Sequence, residues 1–342
     1  NILMDIRNSG IRWRKQEELK YLKVESAHVQ WWKSNEDWLL FGNQIRLSTD
    51  KNIPGPFKFS FQQDEQASKL SLREVDLTAA TQLFSLFSAT KELAILADSD
   101  MAGTVDELTL HWGEALPLAG KLRVGNLAFR PSYTESQPYL GVENVDLTAY
   151  WLDSQLWLEA AGESGQLLTR DTFEQAIDYD SIHAAGWIDW SQEQFQFALP
   201  RVSFKNSEVA LELTTEFNKG ESSHLDLYAE VKGPTLGNVN KYLPRHLLSE
   251  DVYQYLDSAI QQGRGELTQI LVSGDPTRMP YSSLSGSDEA GRFIVNADIR
   301  DAMFRFDSEW PALEELNANL RVDNSLMVIE ALDGQLAYLS LN

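Results

Sequence analysis

The chain has 342 residues with 51 acidic against 29 basic side chains, and a net charge of −22 repels a polyanionic partner such as nucleic acid over most of the surface. An apolar fraction of 43% supplies a core for one large β-domain or two ordinary ones, so a folded chain is expected. The absence of cysteine excludes disulfides, thiolate metal sites and a cysteine nucleophile, and no run of about 18 apolar residues offers a membrane-spanning helix.

In chain order, Asn1-Ile2-Leu3-Met4-Asp5 is neither an initiator methionine nor a signal peptide, so the sequence reads as a piece of a longer chain. Leu77, Ala80, Phe84 and Phe87 recur at helical spacing and predict a helix over 77–88, as a lid or end plug. Residues 98–103 begin like a calcium loop, but Ala102 and Thr109 stand where oxygen ligands belong, which leaves an exposed turn.

A weak repeat follows. The pattern apolar-x-x-apolar-x-apolar-x-apolar occurs at Val105, Leu108, Leu110, Trp112, then at Val142, Val145, Leu147, Ala149, then at Tyr179, Ile182, Ala184, Gly186. Its starts lie 37 residues apart twice, and Leu313, Leu316, Ala318, Leu320, Val322 form a further copy. Asp153-Ser154-Gln155, Ser191–Gln194 and Asp323-Asn324-Ser325 are polar turns before return strands, so each unit is an entry bend plus a hairpin, and an array is predicted.

Between the copies, residues 208–217 alternate, with odd positions mostly apolar and even ones mostly polar, and 225–232 and 293–300 alternate likewise. Such alternation marks antiparallel sheet with one wet face, whereas strands covered by helices on both sides read as continuous apolar runs. Ser249 as N-cap, acidic Glu250 and Asp251, the stripe Val252, Leu256, Ala259, Ile260 and a terminal Gly263 predict a helix over 250–262 that covers the sheet. Pro311 begins a predicted short helix over 310–316. Residues 336–342 are strand-like with no turn signal, so more sheet is expected beyond them. The predicted class is all-β: one long antiparallel sheet over 1–342 with a few short helices.

Catalytic signatures are weak. His28, His111, His183, His224 and His246 are scattered, and none pairs with a second histidine across a glutamate as a zinc protease requires. Ser88-Ala89-Thr90-Lys91 matches Ser-x-x-Lys without its companion motifs, and Gly263-Arg264-Gly265 is not continued into a phosphate loop. No catalytic residue, metal or cofactor is expected. Ten tryptophans and many carboxylates suit a polysaccharide-binding or polysaccharide-active β-protein, the rival reading. Trp112, Trp151, Trp157, Trp187 and Trp190 fall within inferred hairpin strands, however, where no sugar is needed to explain them. A structural β-scaffold with a closed core is the third reading.

The ordered set Tyr242-Leu243-Pro244, the segment from Leu247 to Ile260, Gly274-Asp275-Pro276, Pro280, Gly291-Arg292-Phe293, Ala297–Ala302, Phe306 and Trp310-Pro311 resembles the YhdP branch of the AsmA-like and TamB-like envelope proteins. The resemblance covers roughly residues 242–311 and extends upstream only through the hairpin pattern. It implies a repeating curved β-groove without enzymatic activity, periplasmic and anchored to the inner membrane. Such a groove conducts phospholipid toward the outer membrane. Its partners are then phospholipid acyl chains, neighbouring segments of the same groove, and the inner membrane through an anchor. The apolar-face positions expected to line the groove are Leu110, Trp112, Leu147, Ala149, Trp151, Leu156, Leu158, Ile182, Ala184, Ile188, Trp190, Phe195, Phe197, Leu211, Leu213, Leu225, Leu227, Val295, Ile299, Leu320 and Val322.

Overall fold

A computed structural model describes residues 1–15, 18–34, 37–48, 55–77, 100–130, 139–170, 173, 175–191, 194–220, 222–233, 235–236, 241–242, 260–281, 291–305, 311–336 and 339–341. Period-two alternation becomes strand after strand. They are β1 (Ile2–Lys15), β2 (Glu18–Ser34), β3 (Asp37–Ser48), β4 (Phe57–Gln63), β5 (Ala67–Arg73), β6 (Val75–Asp76), β7 (Asp100–Gly113), β8 (Ala119–Arg130), β9 (Tyr139–Leu152) and β10 (Gln155–Arg170). The order continues with β11 (Ile177–Asp189), β12 (Phe195–Lys205), β13 (Ala210–Lys219), β14 (Ser223–Lys232), β15 (Ile260–Gly274), β16 (Gly291–Phe304), β17 (Leu313–Asp323), β18 (Leu326–Leu336) and β19 (Leu339–Leu341). These 19 strands belong to one antiparallel sheet, as the alternation predicts.

The chain divides into two compact units: Asn1–Glu135 with Gly141–Ala160, and Ser136–Leu140 with Ala161–Asn342. In the first, β1 to β5 pair in chain order, β5 and the short β6 both pair with β7, and β8 and β9 follow. In the second, β11 to β19 pair in chain order. Sequential antiparallel pairing needs only hairpins, and the tight ones have the expected chemistry. Asp153 between β9 and β10 and Asn324 between β17 and β18 take φ of 55° and 53°, a left-handed region that these residue types tolerate.

The repeat pattern has a physical meaning. In β7, β9 and β17 the two-residue gap between the first apolar positions coincides with a shift in pairing register, between Val105 and Glu107, between Val142 and Val145, and between Glu314 and Asn317. One extra residue must be accommodated there for both apolar side chains to reach the same face, which is a β-bulge. Asn126, Asn144, Asp301 and Glu315, with φ from 50° to 65°, sit at such shifts. A bulge bends its strand and tightens its twist, so the repeated spacing encodes a repeated bend.

Three expectations are corrected. Residues 260–262 are the start of β15, not the end of a helix, and Gly263 with φ of 124° lets the strand pass close to Ala302; the remainder of the predicted 250–262 helix lies outside the described residues. Leu313–Leu316 opens β17, and the spacing taken for a helical turn is its bulge at Glu315, φ 50°. Asp100–Gly103 is the first part of β7, not a turn. The predicted helix over 77–88 lies outside the described residues apart from Leu77, which is buried.

The first unit holds one apolar cluster that runs from Val24, Ala27 and Val29 through Ile45, Leu47 and Phe57 to Val105 and Val124. In the second, Leu313, Leu316, Ala318 and Ala302 pack with Leu236.

Candidate functional site

Cross-strand partners in an antiparallel ladder point to the same side, so the registers define the two faces directly. In the first unit an unbroken rung runs Ile2, Trp31, Leu40, Phe61, Leu70, Leu110, Gly120, Trp151, each residue opposite the next. The neighbouring rung on that face is Met4, Val29, Gly42, Phe59, Leu72, Leu108, Leu122, Ala149. Neither contains a polar side chain. The opposite face carries Ser60, Ser71, Thr109 and Lys121 in one rung.

The second unit repeats the arrangement. Ala184, Val202, Leu213, Ala229, Ile270, Val295, Val322 and Met327 form one apolar rung, and Ile182, Phe204, Leu211, Val231, Thr268, Ala297, Leu320 and Ile329 form the next, with Thr268 its one polar member. Ile188, Phe197, Phe217 and Leu225 continue the same face, and the Phe195, Phe197 and Phe217 rings lie 5.5–6.3 Å apart. The other side of β12 to β17 reads Ser203, Glu212, Glu230, Gln269, Asn296, Arg321.

Of the positions singled out from the sequence, Leu110, Trp112, Leu147, Ala149 and Trp151 share one face in the first unit. Ile182, Ala184, Ile188, Phe195, Phe197, Leu211, Leu213, Leu225, Leu227, Val295, Ile299, Leu320 and Val322 share one in the second. Leu156 and Leu158 are half-buried between exposed Gln155, Trp157 and Glu159. Trp190 lies just past β11 and is exposed. Trp31, Leu40, Phe59 and Phe61 of β2 to β4, outside the positions expected from the sequence, stand on the same face. The alternation Phe57-Lys58-Phe59-Ser60-Phe61 carried that signal.

Most of these side chains are only partly covered. A contiguous apolar face left half-open to solvent is the kind of surface that binding sites present. The polar face is laced with ion pairs. Glu107 receives Lys121 at 2.7 Å and Arg73 at 3.5 Å, and the Lys121 hydrogen bond holds its carboxyl below the ordinary carboxylate range. Asp323 is lowered in the same way by Arg292. The hydrogen bond from the Tyr228 hydroxyl, at 2.7 Å, lowers Glu230.

At the far end of β12 and β13, Tyr242 donates to Glu208 at 2.8 Å and accepts from the Asn206 amide at 3.1 Å, while Lys241 pairs with Glu208 at 3.0 Å. Burial pushes the Tyr242 hydroxyl up to about 12. This cluster staples residues 241–242 to the β12–β13 turn.

The apolar rungs named above contain no histidine or carboxylate. His28 and His224 are exposed and lie 3.1 Å and 3.3 Å from Asp5 and Asp226 on the surface. Among the described residues no cluster of histidine and carboxylate could hold a metal ion, and no helix is long and apolar enough to cross a membrane.

A protein family described as "YhdP protein" matches this chain over residues 1–342. The chain belongs to the YhdP family. Over 80 residues it is 34% identical to the intermembrane phospholipid transporter YhdP of Escherichia coli strain K12, a stretch that is 23% of this chain and 6% of that protein. No solved structure matches the chain. The resemblance read from residues 242–311 thus extends to the whole chain at the family level. In this YhdP-family chain, the element that recurs from strand to strand is the two-faced sheet: apolar rungs on one side, charge on the other.

Proposed function

We propose that this chain is a segment of a bridge-like lipid-transfer groove that carries phospholipid between the inner and outer membranes. The acyl chains lie against the apolar rungs and the headgroup stays in water. The E. coli relative is described as an intermembrane phospholipid transporter, which supports phospholipid as the cargo. In this reading the protein works in the periplasm, is held at the inner membrane by an anchor, and continues its groove through neighbouring segments of the same sheet.

The observation that carries the reading is the unbroken apolar rung from Ile2 to Trp151 across eight successive strands of the first unit, matched by the rung from Ala184 to Met327 in the second. An acyl chain of about 15 methylenes exposed to water costs roughly 12 kcal/mol at about 0.8 kcal/mol per methylene. A path between membranes therefore needs apolar cover at every step, and a rung that continues from strand to strand supplies it. No step of the process requires a bond to be made or broken, so the function asks for a surface and not for a reactive group.

Two measurements test this. Native mass spectrometry with lipid extraction should find phospholipid on the purified protein. Photoreactive residues at Leu147, Leu158, Ile188 and Phe197 should crosslink phospholipid in cells, while the same probe at Glu212 or Glu230 should not. An empty, dry face with no crosslink would make the apolar rungs ordinary core and leave the scaffold reading; retained oligosaccharide would favour the polysaccharide reading.

A further inference from the structure

Among the described side chains, the tryptophans of the first unit's apolar face are gathered at one edge. The connections β2–β3, β4–β5, β7–β8 and β9–β10 all turn at the same side, and Trp31, Trp38, Trp112 and Trp151 lie at the ends of β2, β3, β7 and β9 beside those turns. Trp38 meets Phe61 at 4.5 Å between ring centroids and Phe61 meets Trp112 at 6.0 Å, so the aromatics form a row across the strands. Toward the other edge the same face carries Ala27, Ile45, Leu47, Val105, Val124 and Val145, with phenylalanines Phe57, Phe59 and Phe129 but no described tryptophan side chain. Exposure follows the same gradient: Trp31 is 36% exposed, whereas Val105 and Val145 are 5% and 4% exposed.

This is the reverse of an ordinary core, where the largest rings sit deepest. Indole combines an apolar body with one hydrogen-bond donor and concentrates where hydrocarbon meets water. Among the described residues none accepts the indole N–H of Trp112 or Trp151. A phospholipid presents acceptors at one level, its ester carbonyls and phosphate oxygens. Beyond that level it is hydrocarbon, which matches the aliphatic side of the face. From Trp151 to Val145 the strand rises roughly 20 Å at about 3.3 Å per residue, enough for the ~15 Å that the chains of one leaflet occupy.

Resting on the lipid-groove reading, we propose that the turn edge of the first unit holds the ester and headgroup level of the bound phospholipid. Trp38, Trp112 and Trp151 set its depth, and the acyl chains run toward the aliphatic edge. The aromatic row then acts as a depth gauge, and each lipid travels with one fixed orientation across the strands.

Tryptophan emission reads this directly. The chain is loaded with phosphatidylcholine brominated either beside the ester carbonyls or near the chain ends, and bromine quenching is compared between the parent and the Trp112→Phe/Trp151→Phe variant. The expected result is a larger loss of emission with ester-proximal bromine, a difference that shrinks in the double variant because its reporters are gone. Trp32→Phe and Trp157→Phe, exposed positions outside the apolar rungs, should leave the quenching pattern unchanged. Stronger quenching by chain-end bromine would overturn the orientation while leaving the lipid reading intact. Quenching carried mainly by Trp32 and Trp157 would place the edge on a lipid surface and overturn the proposal. No quenching by either lipid, together with no extractable phospholipid, would overturn the lipid reading itself.

Discussion

The six-membered ring of Trp151 occupies the space that a Cβ on Gly120 would fill, directly across the β8–β9 ladder. Phe59 stands over Gly42 in the same way across β3 and β4. At both sites the glycine matters for what it lacks. A ring that lies down over a bare backbone stays in the apolar layer without standing out from it, and the rung remains smooth. Any side chain at position 120 must push the indole outward or force the strands apart.

Gly120→Leu is therefore expected to destabilise the chain by about 1–3 kcal/mol, as overpacking does in a filled site. Urea denaturation measures the loss, and near-ultraviolet circular dichroism should report the displaced indole. Gly120→Leu combined with Trp151→Ala should recover much of the stability; if it does not, the backbone of β8 rather than the indole is the obstacle.

The two faces of β13 predict opposite responses at adjacent positions. Leu213 stands between Val202 and Ala229 on the apolar face, and Glu212 stands opposite Glu230 on the other. A charge against hydrocarbon costs about 3 kcal/mol, so Leu213→Asp should reduce retained phospholipid roughly a hundredfold. Far-ultraviolet circular dichroism should change little, because a half-exposed site can hydrate the new carboxylate. Glu212→Gln should retain lipid at the parent level. Equal losses from both would show that the faces are not distinguished by the cargo.

Tyr242 sets an alkaline limit. Its folded-state value of about 12 lies above the ordinary 10, so the fold favours the neutral hydroxyl. That contribution is complete below pH 10 and declines as the unfolded chain ionises while the folded chain does not, between pH 10 and about 12. Tyr242→Phe should flatten this decline and, at neutral pH, cost about 1 kcal/mol for the lost bond to Glu208. Urea midpoints across that pH range test both, and an unchanged alkaline slope in the variant would assign the decline to other groups.

The bulges predict a preference for residue type over residue chemistry. Asn126 has φ of 50°, and it is its backbone N–H, not its side chain, that donates to Asp146 at 2.9 Å. Asn126→Val should cost about 1–2 kcal/mol, since a β-branched residue resists the left-handed region, while Asn126→Gly should be nearly neutral. Thermal unfolding distinguishes them. Equal tolerance of valine and glycine would mean that the bend does not depend on that conformation.

Much of this protein is written in local order. Alternation in 208–217, 225–232 and 293–300 determined strand, antiparallel pairing and which side chains share a side, because the strand period of two leaves no other arrangement that keeps Leu211, Leu213, Leu225, Leu227 and Val295 together. The recurrent two-residue gap was also visible, but its meaning was not. At Leu313–Leu316 the same spacing satisfies one helical turn or one bulged strand, and only the ladder with β16 and β18 chose the strand. At Ile260 the helical stripe lost to pairing with Phe304, a partner 44 residues away that no local window contains. The strands β1 to β5 are legible one by one but not as part of the site, since a hairpin declares its own faces but not that its rung is shared with seven neighbours. Register across the sheet decided that, and it placed Trp31, Trp112 and Trp151, distant in sequence, along one edge of a single apolar face. Local periodicity fixes where each side chain points; only long-range pairing fixes what it stands beside.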